Sequence, residues 1–140
     1  MGRVLAIDYG RKRTGLAVTD MLRITANPLF TIPTAELGAW LEDYFRKEQV
    51  DTVVIGRPTQ LNGEDSESMT YIRPFMNYFR KRWPDKPLVE FDERFTSTIA
   101  HRAMIDGGMK KKQRQDKSVV DKLAACIILE GYLENLRFKI

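Results

Sequence analysis

Two short apolar segments, residues 3–7 and 14–19, flank a basic, glycine-containing turn at the start of the chain, which is the pattern of a β-hairpin. Residues 24–32 supply a third strand. Pro28 within it points to an irregular or edge position, because proline cannot donate to a ladder. Thr34 stands where a helix N-cap is expected, ahead of Leu37, Trp40, Leu41, Tyr44 and Phe45 at helical spacing. Residues 52–55 (Thr-Val-Val-Ile) form a continuous apolar run of the kind found in buried parallel strands.

A polar loop with Gly56-Arg57-Pro58 and Asn62-Gly63 follows, ending near Ser66. Residues 67–83 then carry Ile72, Phe75, Met76 and Phe79 on one helical face. Pro74 is expected to kink that helix or delay its start, and Pro84 to close it. Residues 88–91 read as a fifth strand. A short helix begins at Ser97 or Thr98 and stops at Gly107-Gly108, with Thr96 and Ser97 read as helix caps rather than ligands. The last helix spans about residues 118–136. The order predicts a single α/β domain over residues 1–140, with three antiparallel strands, then two parallel ones, and helices on both faces.

Composition narrows the class. An apolar fraction of 43% with 30% charged residues is ordinary for a globular protein. No apolar run approaches the roughly 20 residues that span a bilayer, so no membrane partner is expected. The N-terminus enters an apolar strand directly, without the features of a signal peptide, and a cytoplasmic location is expected. The single cysteine, Cys126, falls on the apolar face of the last helix and reads as a small core residue.

The net charge of +4 is unevenly spread. Arg11, Lys12 and Arg13, together with Lys110, Lys111, Lys112, Arg114 and Lys117 against Asp116, carry more positive charge than the whole chain, leaving the remainder acidic on balance. Two concentrated basic segments suit an electrostatic footprint for a phosphate backbone. Arg57 in the polar loop is a further candidate phosphate contact, with Arg94 and Lys122 weaker ones.

Three carboxylates sit where folding alone would not put them. Asp8 ends the apolar run of the first strand, Glu93 follows the fifth, and Asp121 shares a helical row with Ala124, Ala125 and Ile128. A buried charge is costly unless it is partnered. A hard divalent cation is the natural partner for carboxylates drawn from two strand ends and one helix. One cysteine and one histidine cannot make a typical zinc site, and His101 reads as a helix residue rather than a base.

The segments carrying these residues resemble the YqgF family of pre-ribosomal-RNA nucleases and Holliday-junction resolvases. The similarity runs through Ile7-Asp8-Tyr9-Gly10-Arg11-Lys12-Arg13-Thr14-Gly15, Gly56-Arg57-Pro58 with Asn62-Gly63, Asp92-Glu93-Arg94-Phe95-Thr96-Ser97, and Asp121-Lys122-Leu123-Ala124-Ala125. The resemblance implies a ribonuclease-H-like fold related to RuvC. It implies Asp8, Glu93 and Asp121 as catalytic metal ligands for Mg²⁺ or Mn²⁺, in a two-ion phosphodiester hydrolysis. It also favours 5′-end maturation of pre-16S ribosomal RNA over resolution of branched DNA. The other readings are a non-catalytic RNA-binding assembly factor and an actin-like phosphate loop. The latter needs a second domain, so no nucleotide cofactor is expected. A monomer or weak homodimer fits the chain.

Overall fold

A computed structural model gives the structure of residues 2–57, 67–92 and 117–138, with side chains of 122–136 in the last stretch. Strand β1 (Arg3–Tyr9) turns tightly into β2 (Arg13–Thr19), and β3 (Ala26–Pro33) follows. A 3₁₀ turn (Thr34–Glu36) leads into α1 (Leu37–Lys47), then β4 (Val50–Arg57), α2 (Met69–Arg82), β5 (Leu88–Asp92) and α3 (Lys117–Phe138). The sheet order is β3-β2-β1-β4-β5, antiparallel across β1, β2 and β3 and parallel from β1 through β4 to β5. Three antiparallel strands continued by two parallel ones is the predicted mixed sheet.

The apolar runs explain the order of burial. β1 and β4 lie between neighbours on both sides, so their side chains are covered above and below, as continuous rather than alternating apolar runs require. Leu5, Ile7, Leu16, Val18, Val53 and Ile55 face α1 and α2, meeting Leu37, Leu41, Ile72, Phe75, Met76 and Phe79. Val4, Ala6, Ala17 and Val54 face the opposite way, against Ala125, Ile128, Leu129 and Leu133 of α3. Small residues dominate the sheet's contribution to this second layer, which lets α3 lie close to it.

Several boundaries differ from the pattern reading. β1 runs to Tyr9, so Asp8 lies inside the strand, paired with Gly15, rather than at the opening of the turn. β3 begins at Ala26, and Pro28 sits beside a register shift on this edge strand, where its missing donor costs no ladder bond. Pro74 lies within α2 without delaying its start past Met69. Thr34 is not a side-chain cap for α1: its hydroxyl is turned to the β1–β2 turn instead. The short helix expected between residues 97 and 108 lies outside the described residues.

Cys126 occupies the core position expected of it. Burial, with Glu130 nearby adding repulsion, pushes its thiol up to about 11, and its Sγ donates to the Ala26 carbonyl 3.5 Å away. The thiolate is the reactive form, so alkylation at neutral pH is expected to be slow in the folded protein and fast in denaturant. Labelling with iodoacetamide with and without urea measures this, and fast labelling of the native protein would contradict the burial.

Candidate active site

Strand alternation decides which side of the sheet Asp8 serves. Val4 and Ala6 face α3, so Asp8, the next residue of that series, belongs to the α3 side of the sheet. It is half-buried. Its antiparallel partner across β2 is Gly15, and on the other side Ile7 pairs with Ile55, which Gly56 follows. The positions directly across from Asp8 on both neighbouring strands are therefore glycines. Glycine inside a buried strand weakens it and often marks the close approach of a ligand. This pair of glycines was the informative signal that reading the carboxylates alone passed over.

The turn after Asp8 is held by long-range bonds. Thr34 Oγ1 donates to the Gly10 carbonyl at 2.6 Å, and the Thr34 amide donates to the Lys12 carbonyl at 3.0 Å. The fully buried Thr14 hydroxyl lies 2.9 Å from Thr34 Oγ1. Gly10 is required here because a Cβ would stand 2.3 Å from the Arg13 carbonyl oxygen. The result is a fixed loop presenting Arg11 and Lys12 to solvent, with Arg13 half-buried. Thr34→Val is expected to lower stability by about 1 kcal/mol, the net worth of a typical hydrogen bond, read in a urea melt. An unchanged midpoint would show that the clamp is dispensable.

Tyr9 points to the other face. Its ring stacks on Phe75 at 4.7 Å and leans on Tyr71 at 6.1 Å. Burial, reinforced by Tyr71, raises the Tyr9 hydroxyl above its ordinary value, so it stays a neutral phenol. The Arg11 guanidinium lies over the Tyr71 ring, 5.5 Å from its centre.

The remaining expected residues fall as follows. Arg57 ends β4 and reaches 4.0 Å from Glu90, so part of its charge is already engaged by a carboxylate on the adjoining strand. Lys117 opens α3 and Asp121 lies in its second turn, four residues before the buried Ala125 and seven before the buried Ile128. Asp121 thus belongs to the helix that covers the Asp8 side of the sheet. Two contacts set how α3 runs. Cys126 meets Ala26, level with Val4, whereas a Cβ on Gly131 would touch Phe91, level with Gly56 near the Asp8 end. These contacts lie on the two edge strands, so α3 crosses the sheet from the β3 side towards β5. Glu93, Lys110, Lys111, Lys112 and Arg114 lie outside the described residues. Among the described residues no group of three or more His, Cys, Asp or Glu side chains could hold a metal ion.

A mixed β3-β2-β1-β4-β5 sheet with three antiparallel strands continued by two parallel ones is a ribonuclease-H-like fold. The solved structure of T. thermophilus RuvC in complex with a Holliday junction substrate shares this fold: TM-score 0.57, 15% identity, 96% of this chain and 97% of that one covered. The model of the RuvX family, described as Holliday junction resolvase, matches residues 2–135, and the chain belongs to that family. Relatives named "Putative pre-16S rRNA nuclease" agree along the whole length. The protein of Phocaeicola vulgatus is 53% identical over 99% of both chains, and that of Parabacteroides distasonis is 49% identical over 100% of both. The family expected from the four sequence segments is thereby established.

Proposed function

We propose that this protein is a divalent-metal-dependent endonuclease for structured nucleic acid, acting in the cytoplasm on the 5′ region of precursor 16S ribosomal RNA. The observation that carries this reading is Asp8, a half-buried carboxylate with glycine on both neighbouring strands, next to a clamped basic turn. The names of the relatives at about half identity support the substrate class, and the RuvC-like fold supports the site's position on the sheet.

Asp8 offers oxygen donors, and Glu93 and Asp121 are of the same chemistry, so the set suits Mg²⁺ or Mn²⁺. In this reading the three carboxylates Asp8, Glu93 and Asp121 would hold the ions. Val89 and Phe91 of β5 face α3, and Glu93 continues that odd-numbered series in the sequence. A divalent ion bound there would supply an acidified water and neutralise charge on the phosphate.

The chain's other residues position the substrate. Arg11, Lys12 and Arg13 hold phosphates beside Asp8, with Arg57, Lys110, Lys111, Lys112, Arg114 and Lys117 extending the basic track. Contacts of this kind set register and orientation without reading bases. Affinity measured in chelator should therefore fall steeply between low and physiological salt and depend little on sequence. A salt-independent affinity would remove the basic track from the account.

Resolution of four-way DNA junctions is the second reading, favoured by the family description. Incubation with Mn²⁺, precursor ribosomal RNA and a four-way junction in parallel, beside an Asp8→Asn control, separates the two. Cleavage of the RNA at its 5′ side alone supports the first reading, and symmetric cuts in the junction the second. Binding to RNA with no cleavage of either would leave a non-catalytic assembly factor.

A further inference from the structure

The β1–β2 turn has a second face. Away from Asp8, on the α1 and α2 side of the sheet, Gly10, Arg11, Lys12 and Arg13 form one wall of a cleft of about 840 Å³. Glu67, Ser68, Thr70 and Tyr71, around the start of α2, form the other. The volume lies within the roughly 300–1,000 Å³ of small-ligand sites. Three cations against one carboxylate among these lining residues favour an anionic ligand. The cleft also has an aromatic element, which a purely phosphate-binding surface does not need.

That element is built rather than incidental. Tyr71 continues the aromatic series from Phe75 through Tyr9, so its ring is positioned by packing from behind. Arg11 already stands over it at 5.5 Å in a cation–π contact, so the cleft holds a guanidinium and an aromatic plane side by side for a base to stack against. The turn carrying Arg11 is fixed by Thr34, and Tyr9 just before it packs on Phe75 and Tyr71 of α2, which ties the two walls together. Planar bases stacked on aromatic or arginine planes, with cations along the backbone, are how unpaired nucleotides are held.

We propose that this cleft is a subsite for an unpaired nucleotide of the strand that reaches Asp8, its base stacked at Tyr71 and Arg11 and its phosphates held by Lys12 and Arg13. The inference rests on the nucleic-acid reading above and extends it. Gly10 and Arg11 follow Asp8 by two and three residues, so a strand crossing the turn passes from the α3 side of the sheet into the cleft. The enzyme then selects substrates with a single-stranded stretch beside the scissile phosphate, which a blunt duplex lacks.

Binding is measured by fluorescence anisotropy in chelator, so that no cleavage intervenes, with a blunt duplex and the same duplex carrying an unpaired extension. Wild type is expected to prefer the extended molecule. Tyr71→Leu is expected to lose about 5- to 150-fold on it, the range of base–aromatic stacking, with little change on the blunt duplex. Tyr71→Phe is expected to retain the preference. Equal losses on both ligands, or none, would overturn the subsite. So would a free mononucleotide that displaces the extended duplex at comparable affinity.

A fluorescent purine analogue placed in the extension keeps the test decisive if Tyr71→Leu does not fold. Its emission should be quenched by wild type and restored by Arg11→Gln, and unquenched emission with wild type would refute stacking. A protein that shows the preference yet cleaves nothing with Mn²⁺ would overturn the nuclease reading and leave the subsite standing. Cleavage without the preference would do the reverse.

Discussion

Asp8→Asn is expected to reduce cleavage by more than about 100-fold and to remove stabilisation by divalent metal. Mutating a residue that merely supports a metal ligand typically costs 10–100-fold, and Asp8 is proposed as a ligand itself. Asparagine keeps the size of the side chain and one oxygen, so packing between Gly15 and the strand after Ile55 is preserved while the charge is lost. A ligand at a hundred times its dissociation constant stabilises the native state by about 2.7 kcal/mol. A rise in wild-type melting temperature on adding Mn²⁺, absent in the variant, is therefore expected. Gel assays of cleavage supply the other half. A variant that cleaves within a few-fold of wild type would show that Asp8 is a structural carboxylate.

Gly10→Ala is expected to be the most damaging single-methyl change at the basic turn. The added carbon would meet backbone, the Arg13 carbonyl oxygen at 2.3 Å, so no side-chain rotation relieves it. Either Gly10 moves and its carbonyl leaves Thr34 Oγ1, or Arg13 moves and disturbs the start of β2. Overpacking of this kind costs about 1–3 kcal/mol, read as a lower urea midpoint. Because Arg11 and Lys12 ride on the turn, binding of nucleic acid should fall by at least about tenfold, equivalent to about 1.4 kcal/mol. Unchanged binding would mean that the turn's shape does not matter to the substrate.

Much of this arrangement is legible from local pattern, and the exceptions share a physical cause. The face Ile72, Phe75, Met76 and Phe79 is buried as its spacing predicts, because one helical face meeting one sheet leaves no other solution. Pro28 sits on the edge strand because only there is its missing donor harmless. Thr34 was expected to cap a helix, and capping rules see only the next few residues. Its partners are Gly10, 24 positions away, and Thr14, 20 positions away, which become neighbours only when β3 pairs with β2. The same holds for Tyr71, whose relation to Arg11 depends on α2 packing behind the first hairpin.

The carboxylates divide along that line. Asp8 is conspicuous in sequence because a charge follows an apolar strand, and the structure adds that glycines stand across from it on both sides. The direction of α3 across the sheet is not encoded in its apolar periodicity, which fixes a face and not a heading. The contacts at Cys126 and Gly131 supply that heading, from the β3 edge of the sheet towards the β5 edge.

The central claim is that Asp8, Glu93 and Asp121 together capture divalent ions. Calorimetric titration of Mn²⁺ into wild type, Asp8→Asn, Glu93→Gln and Asp121→Asn tests it most directly. Two bound ions in wild type and weakened or lost binding in each variant is the predicted result. Wild-type binding in Asp121→Asn would remove the last helix from the site, and wild-type binding in Asp8→Asn would contradict the account itself.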